Sequence, residues 1–462
     1  MNNFKEYKKL LSEFVAFKSV STDPKFLTEI DKTVAWLKSL LEKNGFNIEI
    51  LKGKNSNPII FADQTIKDNL LPTLLIYGHY DVQPAEKSDG WTKEPFDLVE
   101  SKGKLIGRGV VDNKGQILAH IVTAIELIKT KKIAYNVKFL VEGNEETGNP
   151  DLASLMKKNK NKLACDILVV SDGELTNDKP TIEISLRGGF NCKLTFKTGK
   201  NNLHSGLAGG AVPNAAIELN RLLSKLYNSD GSVQFKDFYK NVDSVGKAQL
   251  VNNQRLQKQA KNITKLMGVK RLLMQNGKDF FTQTGLTPTI QITGIKSGYI
   301  DTGFANIVPA DAEVRLNFRI VASQKAVDVA NDFKKFVIAN TPKYVDYNLT
   351  LNGFHNPIKV NTNNQYVAGA EKMLELVYGT RVNRKNVGGA IPFVGDVKHI
   401  LGIDTLLIPF VNEDCNMHGT QENFDIELAK KALEFSNVFM SHSIRFYLPR
   451  WKTKNSVVKG QT

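Results

Sequence analysis

The chain has 462 residues, 41% of them hydrophobic, and a formal net charge of +15 at pH 7. This length can bury a large core in two or three domains, and no stretch contains the roughly 18 consecutive apolar residues of a membrane span. The lysines are scattered, and their densest run, KKNKNK at 157–162, has no interleaved aromatic residues. A solvated basic surface is therefore favoured over a nucleic-acid interface.

The amino-terminal segment and the cysteines indicate a cytoplasmic protein without disulfides. Residues 1–17, MNNFKEYKKLLSEFVAF, mix acids and bases around an amphipathic helical period, unlike the apolar centre of a signal peptide. The cysteines Cys165, Cys192 and Cys415 lie far apart and form no CxxC pair. They favour reduced, structural thiols over a disulfide framework or a thiolate zinc site.

Three apolar, β-branched runs that stop at acidic residues predict buried strands in the first part of the chain. These runs are LPTLLIYGHYD at 71–81, NVKFLVEGNEE at 136–146 and ACDILVVSDGE at 164–174. Between the first two, isoleucines at helical spacing predict a covering helix over 113–132. The alternation indicates an open α/β sheet, a class that binds ligands at the carboxyl ends of its strands.

The middle of the chain follows another pattern, which predicts an inserted α+β domain. Alternating strands such as FNCKLTFKTG and DAEVRLNFRIV are followed by the helix SQKAVDVANDFKKFVIAN, with a polar helical insert around 214–280. Helix and strand then return in QYVAGAEKMLELVYG and DTLLIPFV. We predict an α/β domain, with a mixed sheet flanked by helices, that is interrupted by an α+β domain. Its first part is 1–186, the inserted domain is 187–356, and its second part is 357–462.

Histidines and carboxylates gather where the apolar runs end. They are His79, Asp81, Asp112, Glu145, Glu146, Asp172 and His418. Carboxylates at this density raise one another's pKa unless a cation neutralises them, so a pair of metal ions is predicted. Imidazole and carboxylate ligands without thiolates suit zinc, with manganese or cobalt as alternatives. Each motif alone is typical of a surface turn or a helix cap, and only their order along the chain favours the metal site.

Local geometry predicts different roles for neighbouring residues of this group. In an extended strand end, residues i and i+2 project to the same side, so Asp81 can accept the second ring N–H of His79 and fix its tautomer. Glu145 and Glu146 are adjacent and should point apart. One of them can then bind metal while the other takes a proton from the bound water as general base.

A series of motifs resembles the co-catalytic, two-metal peptidases of the carnosinase and cytosolic non-specific dipeptidase type. They are GHYDVQP, Trp91 with PF at 95–96, GRGVVDNKG, EGNEETG, SDGE, RGG, HSGLAGGAVPNA and MHG, in that order. This superfamily also contains acetylornithine deacetylase, succinyl-diaminopimelate desuccinylase, aminoacylase and several carboxypeptidases. The resemblance extends over roughly residues 5 to 445, which is nearly the whole chain.

The resemblance implies a complete catalytic centre. The implied metal ligands are His79 and Asp172 on one ion, Glu146 and His418 on the other, and Asp112 as the bridge. Asp81 would orient His79, Glu145 would activate the bridging water, and the peptide bond from Asp112 to Asn113 would be cis. The α/β domain would be the di-metal catalytic domain, and the inserted domain would be a lid that forms a homodimer.

Substrate contacts are also implied by the resemblance. The matching residues are His204, Asn306, Arg319, His355, Gly388 and Gly389. His204 would cross the dimer to support the tetrahedral oxyanion, with Asn306 as another cross-dimer contact, while Arg319 and His355 would hold the substrate's carboxylate or carbonyl. In one departure from the relatives, Ala390 stands where a substrate-contacting serine is usual. The backbone N–H groups of Gly388 and Gly389 could still bind a carboxylate.

These residues predict a hydrolase that cleaves dipeptides or short peptides with a metal-activated water and Glu145 as general base. An alternative is a deacylase of N-acyl amino acids or N-succinyl-diaminopimelate. A third interpretation, a basic nucleic-acid-binding or scaffolding protein, is disfavoured because a scaffold has no use for the intact ligand set. We expect two divalent metal ions per chain, a small peptide or N-acyl amino acid as substrate, and no nucleic-acid or membrane partner.

Overall fold

The computed structural model describes residues 2–65 and 71–442, so residues 443–462 of the last predicted segment lie outside the described part. The strands are β1 Asn47–Leu51, β2 Ile59–Gln64, β3 Thr73–His79, β4 Val99–Ser101, β5 Lys104–Ile106, β6 Asn136–Glu142, β7 Ile167–Val170, β8 Thr181–Leu186, β9 Gly188–Lys197, β10 Leu203–His204, β11 Thr289–Ser297, β12 Ile307–Val308, β13 Asp311–Ile320, β14 Asp346–His355, β15 Ile358–Lys359, β16 Asn383–Val387, β17 Thr405–Leu407 and β18 Asn423–Asp425.

The helices alternate with these strands at both ends of the chain. They are α1 Asn2–Ala16, α2 Leu27–Glu42, α3 Lys114–Lys129, α4 Leu152–Lys158, α5 Lys160–Leu163, α6 Ser205–Ala208, α7 Ala215–Ser224, α8 Lys247–Gln259, α9 Ile263–Leu266, α10 Phe280–Leu286, α11 Ala326–Asn340, α12 Gln365–Tyr378, α13 Pro392–Ile400 and α14 Ile426–Ser441. Among the described residues, no helix combines the length and apolar content that crossing a membrane would require.

The chain forms two compact units. Unit 1 comprises the described parts of Met1–Ile182, Asn361–Asn383 and Ile403–Thr462, and unit 2 comprises Glu183–Val360 and Arg384–Gly402. The last of these segments packs within unit 2, although it lies in the stretch that the sequence predicts as the second part of the α/β domain.

Side-chain contacts explain why residues 384–402 belong to unit 2. The Ser185 hydroxyl donates to Asn386 Oδ1 at 2.8 Å, and Arg187 Nε donates to the Gly388 carbonyl at 2.9 Å. Strand β16 also pairs with β8. The predicted domain limits remain predictions.

Unit 1 is built on a mixed sheet with the strand order β1-β2-β6-β3-β7-β17. Strands β6, β3, β7 and β17 are parallel to one another, while β2 is antiparallel to both of its neighbours, β1 and β6. Strand β3 is buried from its second residue onwards, because helix α3 packs on it and is itself covered by α1 and α14. Since the parallel strands end at one edge, the residues that follow β3, β6 and β7 meet there.

Unit 2 contains a four-stranded antiparallel sheet with the order β11-β13-β9-β14. Strand β13 alternates buried and more accessible residues, as expected for a sheet with one covered face. Helices α7 and α11 pack on that face, where Phe190, Phe318 and Phe333 form an aromatic core. The polar helical insert predicted at 214–280 contains α7, α8 and α9 and reaches the start of α10.

The fold class predicted from the sequence is confirmed. The runs at 71–81, 136–146 and 164–174 contain β3, β6 and β7, and the predicted covering helix is α3. The predicted later helices correspond to α11 and α12.

Candidate active site

The ends of parallel strands bring one group of acidic residues and histidines together in unit 1. His79 is the last residue of β3, Glu145 opens a 3-10 turn just after β6, and Asp172 follows β7 by two residues. Asp112 lies two residues before α3, and the peptide bond that follows it is cis, as predicted. His418 lies in the loop before β18 with a left-handed backbone, φ 61°.

Asp112 is shared by two groups of possible metal ligands. Its Oδ1 lies 3.0 Å from His79 Nε2, which is also 3.6 Å from Asp172 Oδ2. Its Oδ2 lies 2.7 Å from His418 Nε2, which is 3.3 Å from Glu146 Oε2. In each group, one potential ligand atom per residue lies within 4.8 Å of the others. The two groups can therefore hold two neighbouring cations with Asp112 between them.

The charges and donor atoms of these groups fit divalent metal ions. Glu146 Oε1 is buried without a hydrogen-bond partner among the described residues, so its lone pairs are available to a metal ion. Burial raises the pKa of Asp172 to about 7, opposed by His79 and reinforced by Asp112. Burial raises the pKa of Glu145 well above its usual value, and His79 only partly opposes this. Imidazole and carboxylate donors around uncompensated negative charge suit zinc or a similar ion.

The neighbouring carboxylates also raise the pKa values of the two histidines, His79 and His418. Burial opposes protonation of His79, yet hydrogen bonds to Asp112 and Asp81 raise its pKa well above the usual value. Hydrogen bonds to Asp112 and Glu146 raise the pKa of His418 to about 10. A metal ion binds neutral imidazole, so a bound cation would take the place of these protons.

Asp81 joins the end of β3 to the turn after β6. Its Oδ1 lies 3.3 Å from His79 Nδ1, and its main-chain oxygen is closer to the same nitrogen, at 2.9 Å. Its carboxylate also accepts the backbone N–H groups of Glu145 and Glu146, each at 3.2 Å. The Ser21 hydroxyl donates to Oδ2 at 2.7 Å. The buried Asp81 therefore holds His79 and also fixes the backbone that carries both glutamates.

Sequence reasoning missed some supports of this group. Gln83 Nε2 donates to Glu146 Oε2 at 2.6 Å, and Asn113 Nδ2 donates to the Ser171 carbonyl at 2.6 Å, next to Asp172. Both residues lie inside recognised motifs, GHYDVQP and GRGVVDNKG, so a local signal existed although it indicated no role. Their function depends on contacts between segments far apart in the chain.

The predicted substrate residues Arg319 and His355 lie in unit 2 at one level of its sheet. Each is paired in register with Gly189 on the central strand β9, from opposite sides. His355 Nδ1 lies 2.9 Å from the Gly353 carbonyl, which can only accept, so Nδ1 carries a proton. His355 Nε2 is buried and has no hydrogen-bond partner among the described residues, which leaves it for a ligand.

Arg187, which was not among the predicted site residues, joins Arg319 to the predicted glycines. Its Nε donates to the Gly388 carbonyl at 2.9 Å, and its backbone N–H donates to the Gly389 carbonyl at 3.1 Å. Burial lowers the pKa of Arg187 to about 10, and the nearby Arg319 contributes to this shift. No carboxylate forms an ion pair with either guanidinium within residues 2–65 and 71–442. The signal for Arg187 was the RGG motif, of which it is the first residue.

His204 and Asn306 form a second group in unit 2. The Ser205 backbone N–H donates to the Asn306 carbonyl at 2.9 Å, and His204 pairs with Ile307 between β10 and β12. The Gly206 backbone N–H donates to His204 Nδ1 at 3.0 Å, so the neutral ring carries its proton on Nε2. Both residues are exposed. The predicted metal ligands belong to unit 1, and all the predicted substrate residues belong to unit 2.

Comparison with known proteins gives the family. Residues 75–441 match the model of Peptidase family M20/M25/M40. This chain belongs to that family. It is 27% identical over 441 residues to Beta-Ala-His dipeptidase of Homo sapiens, covering 91% of this chain and 86% of that protein. It is also 27% identical over 422 residues to Cysteinylglycine-S-conjugate dipeptidase of Corynebacterium striatum, covering 90% of each.

A solved structure supports the same assignment. An M20 family metallo-carboxypeptidase from Sulfolobus solfataricus superposes with a TM-score of 0.85 and 28% identity, covering 94% of this chain and 98% of that one. The resemblance and the enzyme class predicted from the motifs are therefore confirmed, and the chain is a metallopeptidase.

Proposed function

We propose that this chain hydrolyses dipeptides or short peptides at a centre of two divalent metal ions, with zinc as the first candidate. One observation carries this proposal: His79, Asp172, Glu146 and His418 form two ligand groups around the shared Asp112. The names of the relatives, a Beta-Ala-His dipeptidase and a Cysteinylglycine-S-conjugate dipeptidase, support dipeptides as the substrate class.

The residues of unit 1 supply the proton transfer. The two ligand groups would hold metal ions, which would supply polarisation of the scissile carbonyl and a lowered pKa of water, to about 7. Glu145 then takes the proton of the attacking water and passes it to the leaving nitrogen. Its raised pKa, caused by burial, suits a group that must hold this proton between the two transfers. Asp81 keeps Glu145 in place through the backbone N–H of that residue.

The residues of unit 2 bind the substrate. Arg187 and Arg319 form a cationic group that suits the free carboxylate of a peptide, and charged hydrogen bonds of this kind are the strong ones. Burial lowers the pKa of His355, so its neutral ring, protonated on Nδ1, offers Nε2 as an acceptor for an N–H group of the substrate. The backbone N–H groups of Gly388 and Gly389 are further donors where Ala390 replaces the usual serine. His204, with its neutral-state proton on Nε2, is a donor for the oxyanion.

We also propose a homodimer that forms through unit 2. The large apolar side chains of unit 2 that are more than half exposed include Leu207, Ile295, Ile300 and Phe304. Ile295 lies on β11, an edge strand of the antiparallel sheet. Exposed apolar residues on an edge strand are typical of a surface that pairs with another chain. The cytoplasmic location and the absence of nucleic-acid and membrane partners remain predictions.

A substrate panel tests the activity and separates it from the deacylase alternative. Dipeptides, the same dipeptides with a carboxyl-terminal amide, N-acetyl amino acids and N-succinyl-diaminopimelate are compared with zinc and with manganese. We expect the free dipeptides to have the highest kcat/KM, by about tenfold or more over the amides, because a charged hydrogen bond is lost. Faster cleavage of the acyl substrates than of any dipeptide would establish the deacylase instead.

A further inference from the structure

The carboxylate of Glu422 is fully buried and accepts hydrogen bonds from one short loop. Its Oε1 accepts the backbone N–H of Val111 at 2.9 Å and of Asp112 at 3.3 Å. Its Oε2 accepts the backbone N–H of Gly109 at 3.0 Å and Arg108 Nη1 at 2.8 Å. Both carboxylate oxygens of Glu422 therefore accept hydrogen bonds from the loop 108–112, which ends at the shared ligand Asp112.

Arg108 extends the same network to the other side of the site. Its Nη2 donates to the carbonyl oxygens of His418 at 3.3 Å and Gly419 at 3.1 Å. The Glu422 carbonyl accepts the Gly107 backbone N–H at 3.0 Å, which aligns the two segments. The pair Arg108 and Glu422 thus connects the backbone of Asp112 to the backbone of His418, although these segments lie more than 300 positions apart.

We propose that Glu422 is a positioning residue that sets the geometry of the shared ligand Asp112 and so the affinity for both metal ions. This inference rests on the proposed metal centre. Glu422 is not available as a metal ligand itself, because its two carboxylate oxygens already accept hydrogen bonds from four donors. A carboxylate that orients a metal ligand typically changes metal affinity by about 10–100-fold when it is removed.

The substitution Glu422→Gln separates this role from a merely structural one. The amide has nearly the same shape, but it brings N–H donors to a place that requires an acceptor on both sides. The probe is Zn²⁺ alone, added to metal-free protein in competition with a chelator of known affinity. We expect the affinity of both zinc sites to fall by about 10–100-fold. Both sites should respond because Asp112 belongs to both.

Glu218→Gln is the matched control. Glu218 is also a buried glutamate, 5% exposed, whose partner is an arginine, Arg221, at 2.7 Å, but it lies on α7 of unit 2. This variant should bind zinc as the unaltered protein does. Melting of both variants without metal shows whether a lost affinity is only lost folding. If Glu422→Gln does not fold, Glu422→Asp, which keeps the charge but cannot reach all four donors, is measured in its place.

The outcomes distinguish this inference from the proposed function. If the unaltered protein binds no zinc at either site, the metal centre itself is wrong. If the unaltered protein binds two zinc ions and the folded Glu422 variant binds them equally tightly, only the positioning role of Glu422 is overturned. A variant that melts at a lower temperature but keeps both zinc affinities also overturns that role, because Glu422 would then support the fold and not the ligand.

Discussion

The two units each gather like charges at sites of low exposure, but the charges have opposite sign. In unit 1, burial raises the pKa of Asp172 to about 7, while in unit 2 it lowers the pKa of Arg187 to about 10. In both places the burial of like charges weakens the charged form, so a counter-charge from outside the chain is favoured. We propose a metal cation as the counter-charge for the carboxylates and an anionic group of the substrate as the counter-charge for the guanidinium groups.

The supports of the two groups also differ. In unit 1, the side chains of Asp81 and Glu422 hold the backbone of the predicted ligands Glu146 and Asp112 through hydrogen bonds. In unit 2, Arg187 and His355 are held mainly by main-chain carbonyl oxygens and remain partly accessible. A rigid site suits fixed metal geometry, and an accessible one suits a ligand that must bind and leave in each turnover.

The largest effect should come from Glu145, the proposed general base. Glu145→Gln removes the proton acceptor and should lower kcat at least about 100-fold while both metal ions stay bound. Glu146→Gln is the contrast, since it removes a ligand atom and should weaken one metal ion. The measurements are kcat and metal content of both variants. A Glu145→Gln protein with nearly full activity would remove Glu145 from the mechanism.

The cationic group of unit 2 should affect substrate binding and leave the metal ions in place. Arg319→Ala should raise KM for free dipeptides by about 10–100-fold, the range expected for a lost charged hydrogen bond. Dipeptide amides should be affected much less. Arg315→Ala is the control, because Arg315 lies on the same strand, is exposed and pairs with Glu313. An equal loss with free and amidated dipeptides would argue against recognition of a carboxylate.

A mixed dimer tests whether His204 of unit 2 acts in the active site of its own chain or in that of the partner chain. His204→Ala and Glu145→Gln chains should each be nearly inactive alone. If His204 acts across the dimer, random pairing puts half of the chains in heterodimers, each with one complete site, so about a quarter of the original activity should return. Differently tagged chains confirm that heterodimers form. Activity that stays at the level of the separate variants would place His204 in its own chain's site.

The smallest effect concerns a buried histidine that contacts Ser171, the residue before Asp172. His120 lies between the hydroxyl groups of Ser171 and Ser436, at 2.9 and 3.1 Å, and burial lowers its pKa to about 3. Below about pH 6.5 the unfolded chain therefore binds a proton that the folded chain does not. Stability should fall with decreasing pH, by up to about 1.4 kcal/mol per unit from this residue. Metal-free His120→Gln should show a shallower decline in the unfolding free energy, and an identical slope would contradict this assignment.

The sequence singled out the residues of the candidate metal site better than it singled out their supports. Each predicted ligand follows an apolar strand or lies in a short motif, so local pattern was enough to name His79, Asp112 and Asp172 as candidates, and the structure brings them together. Arg187 and Glu422 gain their roles from hydrogen bonds to segments about 200 and 300 positions away. Such contacts follow from the packing of distant segments, which local pattern does not specify. The same limit applies to residues 384–402, whose packing within unit 2 depends on such distant contacts.

Metal content is the most direct test of the account. Protein purified without chelators should contain close to two divalent ions per chain, measured by elemental analysis. Asp112→Ala should lose both ions, because each ligand group includes Asp112. Loss of both from a folded variant would support a shared bridge. Full metal content in Asp112→Ala, or an unaltered protein that binds no divalent ion, would contradict the two-metal centre.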